Sequence, residues 1–435
     1  MTPHSMPAST DPPSFTHHHL PGDLHLALNS NKKMKTVLVT ASFIGNLDET
    51  VTRLALLPVI LRRGTRSLRD MQAISRHLDG LYGASIASYV LKIGEWHVVR
   101  FRLEVVNERF LPEKTGTLRK ALEFLRELVY EPLEAQGGFQ PEYLEQEKAN
   151  LRRSIESLVD NKAAYAEQRL IEEMCPNEPY RIYEQGRIQD LESIDARALK
   201  SFHAEWVRRY PLHVYAAGDI DVVQFRDLLA SVFVPGREGG YRIAGIPTAV
   251  PVRGTRTATD KMDVNQAKLV LGFRHGLTYA APEYEALLLM SGILGGFSHS
   301  KLFQNVREKE SLCYTIHSSL ERTKGLLFIS SGIAPENYQK AVDIILKNVD
   351  AMKRGEVTDD EIRSTVLTLL NSNEMLEDNF GALADIDMVW SLHGRKFDLL
   401  AFREKLKRVP RDEIVAVAQK LQLDTTYLLT QKQSA

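Results

Sequence analysis

An arginine and a tyrosine seven positions apart, Arg307 and Tyr314, lie in the most distinctive segment of this sequence. They fall in GILGGFSHSKLFQNVREKESLCY, Gly292 to Tyr314, with Arg307 expected near a helix end and Tyr314 opening the next strand. A guanidinium and a phenol directed into one cavity would donate hydrogen bonds to a peptide carbonyl. Spacing alone favours the plainer reading, an exposed arginine and a half-buried strand tyrosine. Gly295-Gly296, ahead of Lys301 and Arg307, could mark an anion site at a helix start, but glycine pairs more often punctuate a loop. No GxxxxGK[ST], no GxSxG and no GxGxxG after a strand is present, so a phosphate-cradling loop has no support. His77, His97 and His203 lack ligand spacing and read as ordinary surface or core histidines. The tract His17, His18, His19 sits in a segment that reads as a tail, where such clusters are usually incidental.

The elements that must position these residues follow from periodicity and caps. Strands are expected over Leu24–Leu28 and Lys35–Phe43, then a helix from Glu49 to Arg63 with Asp48 as N-cap and Gly64 as its stop. A second helix, Leu68–Leu81, would be capped by Ser67. Alternation within Ala84–Val106 gives two antiparallel strands joined near Gly94. Helices are expected at Glu113–Val129, Pro141–Asp160, Lys162–Met174 and Ala196–Trp206, with a strand at Leu212–Ala217 and a further helix after it. Pro235–Pro251 is dense in Gly and Pro and reads as a linker. The plan then repeats. Strands fall at Ala267–Phe273, Tyr314–Ser319, Leu326–Ile333 and Thr426–Leu429, and helices at Pro282–Gly292, Ser300–Lys309, Asn337–Lys353, Asp359–Leu376 and Arg411–Leu421. The organisation expected is a disordered tail over 1–22, an N-terminal lobe over 23–234, a linker over 235–251 and a C-terminal lobe over 252–435. The fold class is α+β, two similar lobes facing each other.

Bulk properties narrow the function. The chain has 435 residues, 43% hydrophobic and 26% charged, which suits two folded domains rather than one core. A formal net charge of -1 gives no global field for nucleic acid or anionic lipid. Cys175 and Cys313 lack CxxC spacing and are expected as thiols in a reducing compartment. The N-terminus has no basic region followed by an apolar core, and no run of about 18 apolar residues occurs, so a cytoplasmic protein without a membrane span is expected.

The segment LGGFSHSKLFQNVREKESLCYTI resembles the C-terminal-lobe signature of the pitrilysin, insulinase and mitochondrial processing peptidase family: a Gly-rich turn, a Leu-Phe helix, and an Arg and Tyr seven apart. The resemblance extends over nearly the whole ordered chain. Arg63-Gly64-Thr65 matches the segment just after the family's metal helix, Tyr180 to Leu191 a family loop, and Tyr210 to Asp219 the strand before the interlobe region. It implies paired α+β lobes, duplicated metallopeptidase-like units that form a clamshell around an unfolded peptide. It also assigns Arg307 and Tyr314 to the substrate backbone.

The departure lies in the first lobe. Active members carry His-x-x-Glu-His, two imidazoles one helical turn apart on zinc with the glutamate activating water, and a distal glutamate completing the site. Counting back from Gly64-Thr65 puts those roles on Ala55, Pro58 and Val59. Glu147 fits the acidic residue seven positions before the distal ligand, but Ser154 occupies the ligand position itself. Enzymes lower barriers by roughly 8 to 23 kcal/mol, and one oxyanion donor contributes about 3 to 4, so Arg307 and Tyr314 could not replace a zinc-bound hydroxide. The expectation is a protein with no metal, no cofactor and no catalytic residue of its own. It would be similar to metal-less bacterial subunits, some associated with modification of elongation factor P, that pair with a His-x-x-Glu-His homologue and help bind the peptide. A purely structural or peptide-binding protein with no part in proteolysis is the alternative.

Overall fold

The computed structural model describes residues 14–432. The first half contains strands β1 (Thr16–Leu20), β2 (Leu24–Ser30) and β3 (Thr36–Asn46), helices α1 (Val51–Leu61) and α2 (Met71–Gly80), and strands β4 (Ser85–Ile93) and β5 (Trp96–Val106). Helix α3 (Thr117–Tyr130), the short strands β6 (Glu134–Ala135) and β7 (Gly138–Phe139), and helices α4 (Pro141–Glu156), α5 (Lys162–Met174), α6 (Ile188–Leu191) and α7 (Ala196–Arg209) follow. Strand β8 (Leu212–Gly218) and helix α8 (Val222–Phe233) complete it. The second half holds β9 (Arg256–Met262), β10 (Ala267–Arg274), α9 (Tyr284–Ser291), β11 (Cys313–Glu321) and β12 (Leu326–Ile333). It ends with α10 (Tyr338–Lys353), α11 (Asp359–Glu374), α12 (Phe380–Leu392), α13 (Leu399–Arg408), α14 (Arg411–Gln419) and β13 (Gln422–Gln431).

The duplication expected from element order is present in the strand topology. The first sheet runs β1-β2-β8-β3-β5-β4 and the second, read from its other edge, β9-β13-β10-β12-β11. In each, one early strand pairs in parallel with the last strand of its half, β2 with β8 and β9 with β13, and the remaining neighbours are antiparallel. Strand β1 is the addition: it lies outside β2 in the first sheet and has no counterpart in the second.

That strand corrects the tail expected over 1–22. Residues 1–13 of that tail, and with them part of the expectation, lie outside the described residues, but Thr16–Leu20 pairs antiparallel with Leu24–Leu28. Gly22 and Asp23, with φ of 75° and 52°, make the tight turn between them. Two caps also differ. Thr50, not Asp48, is the N-cap of α1, and Asp48 instead accepts from the Thr50 amide and hydroxyl. Helix α2 starts three residues later than expected, because the Ser67 side chain is engaged by Glu127 while Asp70 accepts from the Ala73 amide.

Each sheet buries one face under helices of its own lobe. In the first, Leu26, Val39, Phe43, Phe101, Leu103 and Val214 pack under α1, α3, α7 and α8 with Trp206. The opposite faces are covered by exchange. Helix α5 of the first half lies on the second sheet, its Leu170, Ile171 and Met174 against Val270, Phe328, Tyr427 and Leu429. Helix α12 of the second half lies on the first sheet, where Leu383, Ala384, Met388 and Trp390 share a core with Ala27, Ile44, Trp96, Val98 and Tyr215. Both exchanged helices come directly after the long helix of their half, α4 or α11. The approach of α5 is close at Gly272, where a Cβ would meet the Met174 sulfur at 2.7 Å.

The linker over 235–251 has neither helix nor strand, yet it is fixed to both lobes. Tyr241 stacks on Tyr210 with centroids 3.7 Å apart, and the Ala244 and Pro247 carbonyls accept from Trp96 Nε1 and Lys324 Nζ. Lys324, in the β11–β12 turn, is fully buried and also donates to Glu95 Oε1 at 2.5 Å and Glu178 Oε2 at 2.7 Å. Its ammonium thus spends all three protons on the first lobe and the linker.

Candidate functional site

Arg307 and Tyr314 meet. The chain from Phe303 to Lys309 is wound as a π-helix, a widened turn that recurs at functional sites. Ser311, with φ 50°, reverses the chain into β11. Strand β11 is an edge of the second sheet, and its register with β12 slips between Cys313 and Thr315. Tyr314 is the extra residue of that bulge, which turns its ring out of the ladder. It is 76% exposed.

The Arg307 guanidinium carbon lies 4.5 Å from the Phe303 ring centroid and 5.5 Å from that of Tyr314. Two aromatic faces therefore hold the cation by its weakly hydrated planes, and its N–H edges stay free. Among the described residues its one carboxylate contact is Glu308, at 3.7 Å and half exposed, too screened to matter. Phe303 was not singled out by sequence, although it lies one helical turn before Arg307. Gly295 supplies close approach, not an anion cradle: a Cβ there would meet Leu302 at 2.8 Å and the Ser318 amide at 2.9 Å. Lys301 is committed to Glu361.

The positions where the family would hold zinc are brought to neighbouring helices, since α1 packs beside α4 and β4. Ala55 is buried and Pro58 lies inside α1, while Val59 is 36% exposed. Pro58 removes one helical donor, leaving the Leu54 carbonyl without its usual N–H. Ser154 is exposed on α4, and its carbonyl accepts from the Ser157 hydroxyl. Glu147 is buried but tied to Arg63 at the end of α1 and to Asn150. Two methyl-bearing side chains, a pyrrolidine and a hydroxyl offer no set of nitrogen, sulfur or carboxylate donors, so these residues do not fit a zinc ion. Among the described residues no group of three or more His, Cys, Asp or Glu is arranged to hold a metal.

Two of the three scattered histidines are core groups, and the third, His77, is half-buried. His97 and His203 are buried, each with Nε2 on a backbone oxygen at 2.8 Å, of Glu184 and Val129 respectively. Burial pushes their pKa values down to about 4 and about 3. His77 packs against Phe124. Both cysteines are free and buried, and no helix among the described residues is long and apolar enough to cross a membrane.

Residues 193–369 match the family model described as the peptidase M16 inactive domain. A probable inactive metalloprotease of Bacillus subtilis (strain 168), YmfF, is 36% identical over 409 residues, spanning 94% of this chain and 96% of that protein. The chain belongs to the peptidase M16 family. The relative just named is described as probably inactive, and in this chain the positions expected to hold metal carry no set of metal donors. A second relative in the same Bacillus strain, described as the uncharacterized zinc protease YmxG, is 30% identical over 197 residues, 42% of this chain and 47% of that one. A solved structure of a conserved protein from Enterococcus faecalis V583 superimposes with a TM-score of 0.89 at 27% identity, covering 97% of this M16 chain and all of its own.

Proposed function

We propose that this chain is the metal-less subunit of a two-chain M16 peptidase: it pairs with a metal-bearing homologue, supplies half of a peptide chamber, and offers Arg307 and Tyr314 to the substrate backbone. One observation carries the reading. A guanidinium clamped between Phe303 and Tyr314, with its N–H edges free, stands beside a strand edge, which is an arrangement suited to the carbonyls of an extended peptide. The space between the two sheets of one chain is filled by α5 and α12, so a chamber wide enough for a peptide requires the lobes of a second chain. A relative described as a zinc protease, beside one described as inactive, in a single Bacillus strain fits such a division of labour. Two buried thiols fit a reducing cytoplasm.

The test is co-expression with a His-x-x-Glu-His homologue from the same genome. The expected result is a stable heterodimer whose peptidase activity falls at least tenfold with Arg307→Ala in this chain, while the complex still forms. No complex, or activity indifferent to Arg307, refutes the proposal. Peptide capture by the isolated chain that is insensitive to Arg307→Ala would instead mark a binding protein with no part in proteolysis.

A further inference from the structure

Strand β1 brings its histidines to a part of the first sheet that already contains two. His19 pairs with His25 across β1 and β2, and His25 with His213 across β2 and β8. Directly opposed residues point to the same face, so the three rings form one row across three strands. The row continues through Ser42 and Arg100. The rings touch: His19 and His25 lie edge to face at 4.5 Å between centroids, and His25 and His213 stack at 4.9 Å.

This face is the one that receives α12. His17 Nδ1 is 2.9 Å from His25 Nε2, and His17 Nε2 is 3.2 Å from Asp387 Oδ1 on α12. The Tyr215 hydroxyl donates to the same Asp387 oxygen at 2.8 Å, and Arg100 pairs with Asp385 two residues earlier on α12. His17 Nδ1 and His25 Nε2 share a hydrogen bond, while His17 Nε2 lies within ion-pair distance of Asp387 without hydrogen-bond geometry.

We propose that this histidine row is an acid-sensitive latch between the lobes, which holds α12 on the first sheet while its rings are neutral and releases it when they take up protons. Protons taken up by His25 and His213 go to two stacked rings, the first of them buried, and there they repel. The nearby charges give little relief. Arg100, on β5, adds positive charge but is neutralised by Asp385, and Arg226 of α8 faces His18 and disfavours its charging after burial itself. Among the described residues, Asp387 is the acidic side chain that counters the charge on His25. Burial, then His213, His17 and His19, push the His25 pKa down to about 3, and burial, then His19 and His17, push that of His213 to about 4. Because these folded values lie below the ordinary histidine value of about 6.5, the opened form binds protons first and gains on the closed form as pH falls through that value.

Each such ring favours opening by about tenfold per pH unit below that value. Hydrogen exchange on the full chain, corrected for intrinsic chemistry, reads this by segment between pH 7 and pH 5, above the ordinary carboxylate range. Protection of β1 and α12 is expected to fall at least tenfold, while α5, which packs on the second sheet without a histidine row, keeps its protection. The double variant His25→Asn, His213→Asn, checked for folding by circular dichroism at pH 7, is expected to lose most of that acid response. Unchanged protection of α12 in the unsubstituted chain, or a loss shared equally by α5, overturns the proposal without recourse to the variant. So does a folded double variant that opens as steeply as its parent.

Discussion

Lys324→Met isolates the best-buried charge in the molecule. The side chain is fully buried, and its three donors reach Glu95, Glu178 and the Pro247 carbonyl. Methionine fills a similar volume but leaves Glu95, itself buried, facing a thioether. Glu178 keeps Arg274, so one carboxylate is stranded rather than two. Removing one member of a buried ion pair costs about 3–5 kcal/mol. A chain of 435 residues unfolds with an entropy near 0.9 kcal/mol per kelvin on the usual per-residue value, so the expected fall in Tm is about 3–6 °C. Scanning calorimetry measures it, and limited proteolysis should show the linker around Pro247 cut faster, since one of its anchors is gone. Adding Glu95→Gln should return part of the loss by removing the stranded charge. A Lys324→Met protein that melts with its parent and resists protease equally would show that Lys324 is not holding the lobes and linker together.

Three further outcomes follow from the same contacts. Burial opposes ionisation of Glu178, but hydrogen bonds from Arg274 and Lys324 hold its pKa below the ordinary value; its contribution is therefore complete above about pH 4.5 and is lost as pH falls through the lowered folded value, which Arg274→Met should make visible as a flatter stability curve in urea titrations below pH 5. Gly272→Val should cost about 1–3 kcal/mol in the same denaturation assay, because the added carbons meet Met174 and Leu170 of α5, and Met174→Ala in the same chain should recover part of it. Cys175, whose thiol burial pushes up to about 12, should resist iodoacetamide at pH 8 in the folded protein and react readily in urea, as peptide mass spectrometry would show.

Where a segment's own residues decide its state, the sequence is legible. Lys162–Met174 is bounded as expected because Asn161 caps it, and β12 spans the expected Leu326–Ile333 because its apolar run is buried within the sheet. Where a distant partner decides, it is not. Helix α12 carries apolar residues around most of its circumference because it is sandwiched between a sheet and its own lobe, so no one-sided period marks it. Strand β9 reads as polar because it is a parallel edge strand of alternating exposure. In β1, three histidines look like a solvated tail until the Asp387 side chain from the other lobe is placed against them. For the site, the seven-residue spacing of Arg307 and Tyr314 does bring them together, but the bulge that exposes Tyr314 and the Phe303 ring beneath the guanidinium come from strand register and a π-turn, neither of which spacing encodes.

The exchange of α5 and α12 makes each lobe the custodian of a layer its neighbour lacks. Cut at the linker, the chain would yield two pieces that each bare an apolar sheet face and carry an orphan helix shaped for the other piece. Such halves should precipitate when expressed singly and recover the native assembly when made together, so this polypeptide behaves as one cooperative unit even though its strand order records two.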